Sequence, residues 1–173
     1  MAVGYQSASA QLVTESFGSG ANAFSMEFVT IGNPNNAPDT TGYGSVAYTY
    51  NLGMYEVSRG QIDKANSAGS LGITLFDMTN YGGNGVNRPA TGISWYDAAK
   101  FVNYLNTING YQAAYKFDGS GNMQLWEGGQ YSGSNQFRNK DAVFFLPSNN
   151  EWYKAAFYDS QRTGADKYWN FPT

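Results

Sequence analysis

Three serines in this chain are each followed, three residues later, by a side chain able to reach back: Ser58 with Gln61, Ser94 with Asp97, and Ser148 with Glu151. A serine hydroxyl accepts from the backbone N–H of the third helical residue, while the returning side chain takes the N–H of the cap itself. Such pairs mark where helices begin. Stops follow soon after: Gly69 closes the first segment and Asn109-Gly110 the second, while the third spans 148–158. Helices here are therefore short, and strands and loops must make up the rest. The second helix has the clearest face, with Ala98, Phe101, Val102, Leu105 and Ile108 at helical spacing. In the third, Trp152, Ala155 and Ala156 fall on one side, and Phe144, Phe145 and Leu146 predict a strand running into the turn at Pro147.

The segments between the helices alternate or turn. Residues 1–23 are small, polar and rich in Gly and Ser, and predict a flexible arm or one weak strand. "FSMEFVTI" (24–31) alternates with Phe24, Met26 and Phe28 on one face, and "SVAYTYNLGMYEV" (45–57) alternates through Val46, Tyr48, Tyr50 and Leu52. A turn-rich loop (33–44) separates these two strands. "YQAAYKF" (111–117) and "NMQLW" (122–126) predict a hairpin around Asp118-Gly119-Ser120-Gly121. Only 13% of residues are charged, about half the usual share, while 17% are aromatic and 21 are glycine. That mixture suits one loop-rich α+β domain pinned by aromatic side chains, and it argues against a helical bundle. Residues 24–173 form that domain.

Composition also removes whole classes of chemistry. The chain has no cysteine and no histidine, so thiol nucleophiles, thiolate or imidazole metal sites and imidazole bases are excluded. A net charge of −3 leaves no basic stripe for nucleic acid. No apolar run approaches the roughly 20 residues that span a bilayer. "MAVGYQSASA" lacks the charged start and apolar stretch of a signal peptide. The carboxylates Glu56, Asp63, Asp97, Asp141 and Glu151 are candidates for an acid/base pair, although Asp97 and Glu151 already serve as caps. Asp118, Ser120 and Asn122 present the first oxygens of a calcium loop. Met123 and Gly129 stand where such a loop needs Gly and Glu, so a plain hairpin turn is expected and no cofactor. Tyr43, Tyr81, Tyr111, Trp126, Tyr131 and Trp169 lie in or beside loops, where rings either pin the loop or stack on a ligand such as a glycan.

Three blocks taken together point further: "YEVSRGQID" (55–63), "RPATGISWYDAAKFVNYLN" (88–106) and "FLPSNNEWYKAAF" (145–157). In order and spacing they resemble the formylglycine-generating-enzyme, or sulfatase-modifying-factor, superfamily, and most of all its exported bacterial members of planctomycete type. The resemblance implies a variant of the C-type-lectin fold, loop-rich, with two or three short helices and short strands. It also implies that Ser94, Trp95 and Asp97, and Ser148, Glu151 and Trp152, belong to two framework helices with each tryptophan wedged into the core. The family's oxygen-activating cysteines and most of its calcium ligands lie in a C-terminal half with no counterpart in this sequence, so no catalytic residue carries over.

The expectation is a non-catalytic, exported binding or structural module that works outside the cytoplasm. Its partners would be another protein chain, its own copies, the missing C-terminal segment or glycans. Two alternatives follow from the same resemblance: the N-terminal part of an oxygen- and copper-dependent formylglycine-generating enzyme, or a lectin-like ligand-display protein. Trp169 and Phe171 are expected to present apolar surface in need of cover.

Overall fold

A computed structural model describes residues 11–172; residues 1–10 of the predicted N-terminal arm lie outside them, and the rest of it carries the strand Leu12–Phe17. The described chain is mixed α+β, with three helices and small antiparallel sheets and no barrel. In chain order the elements are β1 (Leu12–Phe17), β2 (Phe24–Ile31), β3 (Tyr50–Gly53), α1 (Arg59–Gly69), α2 (Trp95–Ile108), β4 (Lys116–Phe117), β5 (Met123–Gln124) and α3 (Asn149–Phe157). Among the described residues no helix is long and apolar enough to cross a membrane. The chain divides into two compact units. Among the described residues, one gathers 11–15, Met26–Tyr55 and 147–172; the other gathers Ser16–Ser25 and Glu56–Leu146.

The three-stranded sheet has the order β1-β2-β3. In the first unit β2 and β3 run antiparallel, with Val29 opposite Leu52 and Ile31 opposite Tyr50. The strand predicted over 45–57 is only four residues long. Its first half is diverted because Asn36 takes the backbone instead: Val46 N–H donates to Asn36 Oδ1 (3.2 Å) and the Ser45 hydroxyl to Asn36 O (2.9 Å). The alternation of β2 is not expressed as burial either, since every residue but exposed Ser25 is half-buried.

The second unit is built on α2. Ala99 and Val102 pack with Ala114 and Tyr115, ringed by Phe117, Met123, Ala142, Phe144, Phe145 and Leu146. Phe101 and Leu105 are buried on the same helix, but Ile108 is exposed and Ala98 only half-buried. The helix α1 lies against α2, where Gly69 meets Tyr104. A Cβ there would stand 2.7 Å from the Tyr104 ring, so only glycine allows the approach. The left-handed residue that ends α1 is Ser70 (φ 51°), one place beyond the predicted stop at Gly69.

Residues 143–146 are irregular, not the predicted strand. Their backbone groups are satisfied by side chains of the second unit. Asn106, fully buried, accepts from Val143 N–H (3.1 Å) and Phe144 N–H (3.0 Å) and donates to Phe144 O (2.8 Å). Leu146 N–H donates to the Tyr115 hydroxyl (2.8 Å). Asn103 clasps Tyr115 in the same way, donating to its carbonyl (2.7 Å) and accepting from its N–H (2.9 Å), and Asn66 does so to Ile73. A carboxamide offers one donor edge and one acceptor edge, which copies one rung of a β-ladder. Buried main-chain groups find their partners without a strand. The predicted hairpin likewise keeps only two rungs, Lys116 with Gln124 and Phe117 with Met123.

Candidate functional site

All three serine caps form. Ser58 with Gln61 and Ser148 with Glu151 are complete reciprocal boxes. At the second helix Ser94 accepts from Asp97 N–H, but the Asp97 carboxylate receives the Ser94 hydroxyl (2.6 Å) and does not reach the cap N–H. An aspartate is one methylene too short for the full box.

The two tryptophans correct the expectation of a wedged core. Trp95 is 46% exposed and Trp152 52% exposed. Trp95 opens the first turn of α2, in line with Ala99 and Val102 but beyond the end of their core. Its indole meets the buried Tyr115 ring edge to face at 5.1 Å, and exposed Tyr96 stands perpendicular to it at 5.8 Å. Tyr96 also nears Phe117 at 6.4 Å. Trp152 is exposed because α3 turns a polar face inward. The wholly buried positions are Glu151 and Lys154, three residues apart on one side of the helix.

That buried polar pair organises the first unit. The Glu151 carboxylate accepts from Ser148 N–H (2.6 Å) and from the Tyr48 hydroxyl (2.6 Å), while the Tyr50 hydroxyl donates to the Glu151 carbonyl. The Lys154 ammonium donates to Asn33 O (2.8 Å), with the Tyr50 and Tyr158 rings 6.0 and 5.8 Å away. Burial pushes the Lys154 ammonium below the usual lysine range, and burial also raises the Tyr50 phenol. Nearby, the Tyr153 hydroxyl donates to Asp39 and holds that carboxyl below its ordinary value, helped by Thr41 N–H. Every one of these hydrogen bonds ends on a backbone group or on a loop side chain. Their effect is to fix residues 33–48.

The predicted stacking rings are dispersed. Tyr43 leans on Tyr153 (6.0 Å), Tyr81 on Phe76 (6.2 Å) and Tyr111 on Phe144 (6.3 Å). Trp126 donates its indole N–H to Ala114 O (2.9 Å), and the Tyr131 hydroxyl accepts from Gln136 (3.3 Å). Each pins its own loop, and among the described residues none of the five makes a ring contact with another. Trp169 faces Arg162, whose guanidinium carbon lies 4.7 Å from the ring centroid, and Phe171 is 79% exposed. The sequence reading missed Trp95 and Tyr96 as exposed rings. The polar caps at Ser94 and Asp97, just where the helix leaves its core, were the available signal.

The turn at Asp118 is an aspartate-centred loop. Its carboxylate accepts from Ser120 N–H and Asn122 N–H (both 2.9 Å) and from the Asn122 and Gln124 amides (3.2 and 3.1 Å). Asp77 is bound in the same way by Thr79 and Asn84, and the Thr79 hydroxyl leads in drawing its pKa down to about 2. Among the described residues no group of three or more Asp and Glu side chains is placed to hold a metal ion. Compared with protein-family models, with curated proteins and with solved structures, the chain finds no match.

Proposed function

We propose that the chain is a non-catalytic binding module of the formylglycine-enzyme-like, C-type-lectin-related architecture, working outside the cytoplasm. One observation carries the binding reading: Trp95 and Tyr96 stand about half exposed while Tyr115 and Phe117 hold them in place from below. Rigid, half-buried aromatic rings offer area to a flat apolar ligand face at little entropic cost. With a chain this poor in charge, the ligand class is a neutral saccharide of a surface or matrix. Support for a non-catalytic role comes from the same geometry. The carboxylates of Glu151, Asp97, Asp118 and Asp77 each accept from backbone or from a neighbouring hydroxyl.

The test is a glycan array followed by titration of any hit, read by tryptophan fluorescence. Binding by the wild-type chain that falls at least tenfold in Trp95→Ala, with Trp152→Ala unaffected, is expected. Saccharide binding indifferent to Trp95 and Tyr96, or none across the array, contradicts the reading.

A further inference from the structure

The end of the first unit closes on itself as a strap. Trp169 N–H donates to Phe157 O (2.9 Å), Asp159 N–H to Lys167 O (2.8 Å), and Tyr158 and Tyr168 form an antiparallel bridge. Arg162 ties the strap from inside, donating to the Tyr168 carbonyl and to Asp166 Oδ2 (2.9 Å). Of residues 157–169, Tyr168 is the one buried side chain, at 4% exposure. A segment with a single buried anchor opens at low cost.

That anchor ends in another part of the sequence. The Tyr168 hydroxyl accepts from Asn36 Nδ2 (2.6 Å) and donates to Ala37 O (3.1 Å). Its ring fills the space a side chain would need at Gly44, where a Cβ would lie 2.5 Å from the phenol oxygen and φ is +91°. Asn36 in turn holds the loop together, donating to Gly44 O (2.8 Å) and accepting from Val46 N–H. The centre of loop 35–46 is thus completed by a phenol that arrives from a strap 131 or 132 positions away in sequence.

We infer that strap 157–169 and loop 35–46 form one latch, with Tyr168 as its bolt. The strap cannot lift without withdrawing the phenol, and the loop cannot open without releasing it. The coupling is reciprocal. A ligand that holds the loop open loosens the strap, and a partner that grips the strap tightens the loop carrying Tyr43 and Asp39. This goes beyond the saccharide reading and is independent of it, since Trp95 and Tyr96 take no part.

Hydrogen exchange by mass spectrometry on the wild type, Tyr168→Phe, Arg162→Ala and the double variant tests the latch. The hydrogen bonds and ion pair of the Arg162 side chain go to Asp166 and Tyr168 and not to residues 35–46, so its variant reports coupling and not a lost local bond. Each single variant is expected to speed exchange of a peptide covering 35–46 by about tenfold, the worth of one or two hydrogen bonds. Peptides from α2 should not change, and the double variant should be no faster than the faster single one. Exchange that rises only within 159–169 in Arg162→Ala overturns the latch. So does an unchanged loop in Tyr168→Phe, or a loss of protection that reaches α2 at the same time.

Discussion

Asn106 is wholly buried, and both edges of its amide lie on main chain, two N–H groups on one side and two carbonyls on the other. Leucine has nearly the same shape but no polar edge. Asn106→Leu therefore strands Val143 N–H, Phe144 N–H and Phe144 O, and urea unfolding should show a loss of roughly 3–5 kcal/mol. Tyr104 is the opposite case. Its hydroxyl is buried, has no hydrogen-bond partner, and has its pKa raised by that burial. Removing an unsatisfied hydroxyl removes a cost, so Tyr104→Phe should leave stability unchanged or raise it by about 1 kcal/mol. A loss larger than that in the same titration would mean the hydroxyl is bonded.

Among the elements, α2 separates inside from outside most clearly. Leu105 is 3% exposed, and Leu105→Ala should cost roughly 2–5 kcal/mol, seen as a lower midpoint in urea. Trp95 is half exposed with one buried neighbour, so Trp95→Ala should cost only about 1–2 kcal/mol, chiefly the aromatic pair. Equal losses for the two would return Trp95 to the core. The starts of all three helices were legible in the sequence because a cap is a local device, complete within four residues. Of the strands, β2 was legible at its predicted bounds, Phe24–Ile31, while the segments over 45–57 and 144–146 were not. Val46 is bound by a side chain 10 positions away and Phe144 by one 38 positions away. Alternation shows that a segment suits an extended conformation, but not whether its rungs come from a strand or from an asparagine. The inward face of α3 was misread for a related reason. Its buried positions are Glu151 and Lys154, and hydrophobic periodicity sees only apolar ones.

For the molecule as a whole, stability should follow four of its aspartates. Asp39, Asp77, Asp118 and Asp166 are held below their ordinary value by, in turn, the Tyr153 hydroxyl, the Thr79 hydroxyl, Asn122 N–H and Tyr168 N–H. Unfolded, they take up protons near pH 4; folded, they stay ionised to lower pH. Their contribution is complete above about pH 4 and disappears as pH falls through the folded values, which for Asp77 is about 2. At the other end Tyr168, raised to about 12 by burial, contributes below pH 10 and loses that contribution as pH rises through 12. Thermal melts should show a plateau between about pH 5 and 9, and a Tm still rising below pH 4 would contradict this. The proposed binding role was only partly legible, since exposed rings could be expected from 17% aromatics but not located. What most needs testing is the claim that side-chain amides give irregular backbone the order of a sheet. Residue-resolved hydrogen exchange by NMR on the wild-type chain measures it directly, at the Val46, Ile73, Tyr115, Val143 and Phe144 amides that donate to Asn36, Asn66, Asn103 and Asn106. Protection within about tenfold of that in the middle of α2 is the expected result; exchange at the rate of an unstructured peptide at those five amides would contradict it.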